Sequence, residues 1–325
     1  MLSKSGSPLV SIVVPMHNAV RYVKNLCESV LRQTVGVSNL EVLIFDDGSD
    51  DGSLELVTAF ADEYPDTFKI HRRETKSGSP AAGRNWGIDQ ARGRWLSFVD
   101  ADDYLDDEYI KTLLNIAQNT GADVVKCNEY RELDDNGGFI KMHTTCGTSI
   151  YVICALYSVD FLRECELKFM PTIAEDGMFL NELNKFAPKW ELTDYIGYNY
   201  IYHDASLSKT NINSTEKRLL EMDRSVEAWG TALKTASSQL ERYQKVLVPA
   251  FWFWISYYAG EERFLAVEKL VRKFNDIDPR WKLNKYIISG AERVTPKEKR
   301  NVRLFAMLAF CPKSIALLKL VLLNR

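Results

Sequence analysis

The sequence predicts an α/β protein: a mainly parallel sheet with helices on both faces, followed by a helical C-terminal region. Three observations carry this. Short β-branched runs alternate with helix-patterned stretches through the first part of the chain. The strand runs are continuously apolar, as parallel strands covered on both faces must be. Beyond about residue 212 no strand alternation is left, and 215–274 reads as wholly helical.

The elements follow in order. Residues 9–14 form the first apolar run, and 19–33 the first helix, where Val20, Val23, Leu26, Cys27, Val30 and Leu31 repeat at the i, i+3, i+4 spacing of one buried face. A strand at 41–45, a helix at 53–64, a short strand at 68–71, a helix at 81–91 and a strand at 95–99 complete a βαβαβαβ series. A helix at 108–119, a strand at 123–128 and a Gly/Asp-rich loop at 134–138 come next, and another helix begins at Glu175-Asp176. The expected division is a first domain at 1–211 and a helical region at 212–325.

Composition narrows the class. Of 325 residues 46% are hydrophobic and 26% charged, which excludes disordered, collagen-like and disulfide-stapled chains. With 41 Lys and Arg against 44 Asp and Glu, a net charge of -3 gives no reason to expect nucleic acid as a partner. Six cysteines at 27, 127, 146, 154, 165 and 311 form no CxxC pair, consistent with a reduced cytoplasmic protein. The run at 9–14, ended by Pro15, is too short for a signal peptide and reads as a buried strand.

In such sheets ligands bind beyond the carboxyl ends of the strands. Three of those ends are polar: Pro15-Met16-His17-Asn18, Asp46-Asp47-Gly48-Ser49 and Asp100-Ala101-Asp102-Asp103. Carboxylates crowded at a strand-to-loop corner repel one another, and Mg²⁺ or Mn²⁺ bound with phosphate oxygens relieves this; a solvated acidic turn is the other reading. The run at 46–53 is not a calcium loop, because Thr58 stands where a bidentate Glu is needed. There Asp46 or Asp47 is expected to accept from a ligand N–H, with Ser49 or Asp50 capping the next helix. Gly78 to Asn85 lacks both the Gly-Lys-Ser/Thr of a phosphate loop and the dinucleotide glycine spacing. Arg84 is left as a phosphate or base contact, or as a surface ion pair. Glu175-Asp176 either complements a helix dipole or supplies a general base.

Taken together, these motifs resemble the family 2 glycosyltransferases of the GT-A fold. The resemblance runs from Val10 to about Ser208 through Val-Ser-Ile-Val-Val-Pro-Met-His-Asn at 10–18, the acidic run at 46–53, Gly83-Arg84-Asn85-Trp86-Gly87-Ile88, Phe-Val-Asp-Ala-Asp-Asp at 98–103, Ala174 to Phe179, and Tyr198-Asn199-Tyr200 with His203. It implies a UDP-sugar donor with Pro15, His17 and Asn18 beside the base, Asp47 on the uracil N3–H, and Arg84 near base and diphosphate. His17 stands where Tyr is more usual. Asp100 and Asp102 match the D-x-D motif, the first near ribose and metal, the second on the metal, Mn²⁺ or Mg²⁺, with Asp103 in an outer position. Asp176 matches the base that deprotonates the acceptor, with Glu175 as substitute. The implied activity is inverting transfer to a saccharide, lipid-linked in bacterial surface polysaccharide assembly. The alternative is a non-catalytic sugar-nucleotide-binding module. A sugar-1-phosphate nucleotidyltransferase is excluded, since Met16-His17-Asn18 offers no basic phosphate loop after the first strand.

The C-terminal stretch is separate chemistry. Residues 279–325 hold eleven Lys or Arg and two Asp or Glu, and 304–323 are apolar at 16 of 20 positions but broken by Pro312, Lys313, Ser314 and Lys319. Those breaks argue against a single membrane span. Two readings stay open: an interfacial anchor on anionic lipid, which would put the protein on the inner face of the cell membrane, and a hairpin folded back on the protein.

Overall fold

The computed structural model describes residues 7–145, 151–172, 175–203, 215–258, 260–292 and 294–310. The chain divides into two compact units, Met1–Pro171 with Glu175–Ser206, and Thr172–Ala174 with Leu207–Arg325. The division expected at 211/212 falls outside the described residues.

In chain order the first unit runs β1 (Val10–Met16), α1 (Val23–Leu31), β2 (Leu40–Asp46), α2 (Ser53–Glu63), β3 (Phe68–Arg72), α3 (Ala81–Gln90) and β4 (Trp95–Phe98). It continues with β5 (Tyr104–Leu105), α4 (Tyr109–Thr120), β6 (Val124–Cys127), β7 (Glu129–Leu133), β8 (Phe139–Thr144) and β9 (Ala155–Ser158). Helices α5 (Val159–Glu164) and α6 (Glu175–Asn184) and strands β10 (Trp190–Thr193) and β11 (Tyr198–Ile201) complete it. The main sheet has the order β10-β6-β9-β4-β1-β2-β3. β1 pairs in parallel with both β2 and β4, so the strand order reverses between β1 and β4. That reversal opens a crevice at the carboxyl ends of these two strands.

Alternate side chains of the central strands serve opposite faces. Val10, Ile12 and Val14 pack with Val42 and Ile44 against α1 and α4, while Val13 and Leu43 pack against α3, α5 and α6. On α1 the periodic residues Val23, Leu26, Cys27 and Val30 are buried as their spacing predicts. The second face is closer than usual. A Cβ on Gly87 would stand 2.3 Å from Val13 Cγ1, and one on Gly83 would stand 3.1 Å from Pro15 Cβ. Only glycine lets α3 lie this near β1 and β2, and the close approach carries Arg84 to the sheet edge.

Two features were not legible in the sequence. β9 runs antiparallel between β4 and β6. A second sheet, β5-β11-β7-β8, joins segments far apart in the chain. Both consist of short strands without a long period-2 pattern, and their pairing is set by tertiary contacts.

The second unit is helical, with α7 (Thr215–Thr235), α8 (Val248–Tyr257), α9 (Gly260–Ile277) and α10 (Pro296–Phe310) as its longer helices. The stretch expected to be wholly helical is interrupted at 236–238 and at Tyr258. Trp229, Trp254, Phe251, Phe274, Trp281 and Phe305 are buried, with Phe251 and Phe305 stacked at 4.3 Å. Among the described residues no helix is long and apolar enough to cross a membrane. The rest of the C-terminal stretch, 311–325, lies outside them.

Candidate active site

The carboxyl ends of β1, β2 and β4 deliver the residues picked out by their chemistry. After β1 the chain turns at Asn18, which takes a left-handed φ of 52°. Its amide pairs reciprocally with Asp50: Nδ2 donates to Asp50 Oδ1 at 2.9 Å and Oδ1 accepts from Asp50 N at 3.0 Å. Ala19 N donates to Ser53 Oγ and Val20 N to Asp51 Oδ2, so the first two strand-end loops are laced together. Helix α2 is not capped by Ser49 or Asp50 as expected. Asp51 Oδ1 accepts from Ser53 N and from Ser53 Oγ, because Ser49 and Asp50 are already engaged with Asn18.

Of the two aspartates after β2, Asp46 is fully buried and Asp47 nearly so. Asp46 accepts from Ser49 N at 3.1 Å and is not accessible to a ligand. Asp47 accepts from the backbone N–H groups of Ser77 and Gly78 and from Ser77 Oγ, and its own carbonyl accepts from His17 Nδ1 at 3.1 Å. Pro15 and His17 are half-buried beside it.

Arg84 is the centre of charge. It is buried and is no surface ion pair. One Nη1 donates to Glu175 Oε1 at 2.8 Å and Asp176 Oδ1 at 2.6 Å, while Nη2 donates to Asp100 Oδ1 at 3.0 Å. The guanidinium also lies 5.4 Å from the Phe169 ring centroid. Three carboxylates thus surround one cation. One guanidinium cannot compensate three neighbouring negative charges, and desolvation by burial pushes the Glu175 carboxyl up to about 8 despite its pairing with Arg84. Asp100 is pushed up to about 6, by burial first and then by the neighbouring Asp102 and Asp176 against the opposing pull of Arg84. Glu175 Oε2 also accepts from Ser79 Oγ at 2.7 Å, and Asp176 Oδ2 from Val152 N at 3.1 Å.

Asp102 points elsewhere. Its Oδ2 accepts from His203 Nε2 at 2.8 Å, and the imidazole stacks on Tyr22 with centroids 4.6 Å apart. His203 Nδ1 is buried with no partner among the described residues. Asp103 is fully buried: its Oδ1 accepts from Ile201 N and its Oδ2 from Tyr198 O–H at 2.6 Å. Tyr198 Oη in turn accepts from Asp100 N at 3.2 Å, so β11 is clamped to the acidic corner. Burial and the adjacent Asp102 and Asp100 raise the Asp103 carboxyl well above the carboxylate range.

The sheet edge therefore gathers Arg84, Asp100, Glu175 and Asp176 in one cluster, Asp102 with His203 in a second, and Asp47 with Ser77 in a third. Ser77, Ser79 and the pairings of Tyr22 and His203 escaped the sequence reading, because each contact spans 30 or more residues and follows no local pattern. Among the described residues no three His, Cys, Asp or Glu side chains stand grouped to hold a metal ion. Asp102, with Asp100 close by along the chain, nonetheless provides carboxylate donors of the kind that suit Mn²⁺.

A reversal of strand order lined by carboxylates and an arginine is the ligand-binding edge of an α/β protein of nucleotide-binding layout. A family model described as glycosyl transferase family 2 matches residues 11–210, and the chain belongs to that family. Among curated proteins it is similar to the glycosyltransferase GlyG of Streptococcus pneumoniae, 36% identical over 133 residues that make up 41% of this chain and 43% of GlyG. It is also similar to TarS of Staphylococcus aureus, a poly(ribitol-phosphate) beta-N-acetylglucosaminyltransferase, at 32% identity over 35% of this chain and 20% of TarS. The chain thus matches less than half the length of these relatives. By structure it superposes on TarS 1-349 in complex with UDP-GlcNAc with a TM-score of 0.58 at 18% identity, covering 94% of this chain and 91% of that one. A mannosyltransferase of Pyrobaculum calidifontis in complex with GDP-Man and Mn²⁺ superposes at 0.50 and 14% identity, over 97% of this chain and 88% of that one. These superpositions establish the GT-A fold.

Proposed function

We propose that this chain is an inverting, divalent-metal-dependent glycosyltransferase that moves a sugar from a UDP-sugar to a saccharide or lipid-linked saccharide in assembling a bacterial surface polysaccharide. The observation that carries the proposal is the gathering of Asp100, Arg84 and Asp176 at the strand reversal, with Asp102 at the same corner. TarS supports the donor and a polymeric acceptor, since the names attached to it specify UDP-GlcNAc and poly(ribitol-phosphate).

Each residue then has a task. Asp47 accepts from the base, with Pro15, His17 and Asn18 shaping the pocket around it. Asp102, with Asp100, would hold Mn²⁺ or Mg²⁺; when bound, such an ion offsets the negative charge that builds on the departing diphosphate. Asp176 takes the acceptor proton. Its side chain is 22% exposed against 10% for Glu175, and its two oxygens use two of about four lone-pair positions, so it retains capacity for an incoming hydroxyl. Arg84 holds both carboxylates and the metal-side Asp100 in one frame. Attack opposite the leaving diphosphate inverts the anomeric centre.

A screen of nucleotide sugars with Mn²⁺, read as UDP release, tests this directly. Asp176→Asn is expected to lower turnover by roughly two to four orders of magnitude through loss of general-base catalysis. UDP binding without turnover on any acceptor would instead indicate a non-catalytic binding module, and wild-type turnover by Asp176→Asn would remove Asp176 from the base role.

We further propose that the second unit places the protein on the cytoplasmic face of the membrane. Leu283, Ile288 and Met307 are 63%, 77% and 69% exposed among Lys282, Lys285, Lys299, Arg300 and Arg303. Apolar groups among cations suit an anionic bilayer surface, each near-surface cation adding about 1 kcal/mol. Flotation with phosphatidylglycerol vesicles should succeed at low ionic strength and fail at high; no salt-sensitive flotation would favour the folded-back hairpin.

A further inference from the structure

Two of the site's clusters are joined by three residues. Ser77 N donates to both oxygens of Asp47, at 2.9 Å each, Ser77 Oγ donates to Asp47 Oδ2 at 2.7 Å, and Gly78 N donates to the same oxygen at 3.2 Å. Oδ2 therefore receives three donors, and Oδ1 only its share of one N–H. A carboxylate offers about four lone-pair positions, so the free capacity of Asp47 is concentrated on Oδ1. Gly78 takes a left-handed φ of 78°, which turns successive N–H groups toward one anion.

The segment is anchored at both ends. Arg73 N donates to Asp46 O at 2.9 Å, and the backbone at Arg73 and Lys76 passes 3.4 to 3.5 Å from where a Cβ on Gly48 would stand. Beyond Gly78, Ser79 N donates to Ser77 Oγ at 3.4 Å, and Ser79 Oγ donates to Glu175 Oε2 at 2.7 Å. A continuous chain of hydrogen bonds thus leads from Asp47 through Ser77 and Ser79 to Glu175 and Arg84.

We infer that Ser77 is a positioning residue that sets base specificity: it saturates one oxygen of Asp47 and presents the other to a ring N–H, while Ser79 fixes the segment from the carboxylate cluster. The inference rests on the donor reading above. A uracil presents an N–H at its N3 edge, which the presented oxygen accepts. A cytosine presents a lone pair there, which the same oxygen repels. A Ser77 that only stabilised the fold would weaken all nucleotides alike.

The test is titration of the full chain with UDP and with CDP. Wild type should bind UDP more tightly than CDP. Ser77→Ala should weaken UDP roughly tenfold, the scale of one hydrogen bond to a charged group, and change CDP less than twofold. Ser77→Thr, which keeps the hydroxyl, should restore most of the UDP/CDP ratio, and Ser79→Ala should lower that ratio about threefold as the anchor loosens. Should Ser77→Ala melt like an unfolded chain, Ser77→Cys carries the same test. A folded Ser77→Ala or Ser77→Cys with the wild-type UDP/CDP ratio overturns the inference and leaves the glycosyltransferase reading standing. A wild type that binds CDP as well as UDP overturns the inference and the UDP-sugar donor reading together.

Discussion

Asp102→Ala is expected to cut metal-stimulated UDP release by roughly three orders of magnitude, because the charge that builds on the leaving diphosphate would lose its counter-charge. Asp102 is one-quarter exposed, and its bond to His203 at 2.8 Å joins two side chains rather than filling a core, so the variant should melt near the wild-type temperature. The loss would thus be one of turnover with the fold retained. Adding Mn²⁺ should raise UDP release by wild type and not by the variant. Equal release by both at every Mn²⁺ concentration would remove Asp102 from the reaction.

Arg84→Leu has the larger effect on the fold. Arg84 is buried against three carboxylates, and removing it leaves them facing one another without a cation. Breaking a buried ion pair by deleting one partner costs about 3–5 kcal/mol. The cost depends on pH with a definite sign. Burial raises Glu175 from an ordinary 4.5 to about 8, so its contribution to stability is full below 4.5 and is lost as pH rises through about 8. Arg84 opposes that rise, and its removal sends the carboxyl higher still. Urea unfolding at pH 5 and pH 9 should therefore show the smaller loss for Arg84→Leu at the lower pH, where Glu175 carries its proton in both proteins, and the larger loss at the higher, where Glu175 ionises beside Arg84 in the wild type and not in the variant. An equal loss at both would mean that packing on Phe169, and not charge, is what Arg84 supplies.

Much of the fold can be read directly from residue order. The runs at 9–14, 41–45 and 95–99 became β1, β2 and β4, continuous apolar stretches of the kind a parallel sheet covered on both sides buries, while β3 is an edge strand exposed at Lys69, His71 and Arg72. Gly83 and Gly87 stand in the sequence as parts of a motif, and the closeness of α3 to Val13 and Pro15 is their physical reason. The acidic strand ends were equally legible as candidates, since crowded carboxylates at a sheet's carboxyl edge have few uses.

What each candidate does depends on partners that the order of residues leaves open. Arg84 had the same sequence context whether it faced solvent, phosphate or carboxylate, and only the packing of α3 against β1 and of α6 beside it places three acids around it. The contacts of Asp102 with His203 and of Asp103 with Tyr198 join residues about a hundred positions apart. Burial and periodicity are local properties, so the order of residues alone marks β1, β2 and β4, the helices beside them and the charged groups at the sheet edge. The tertiary structure alone decided which carboxylate meets the arginine, which meets an imidazole and which is gripped by Ser77, because charge pairing depends on distance in space.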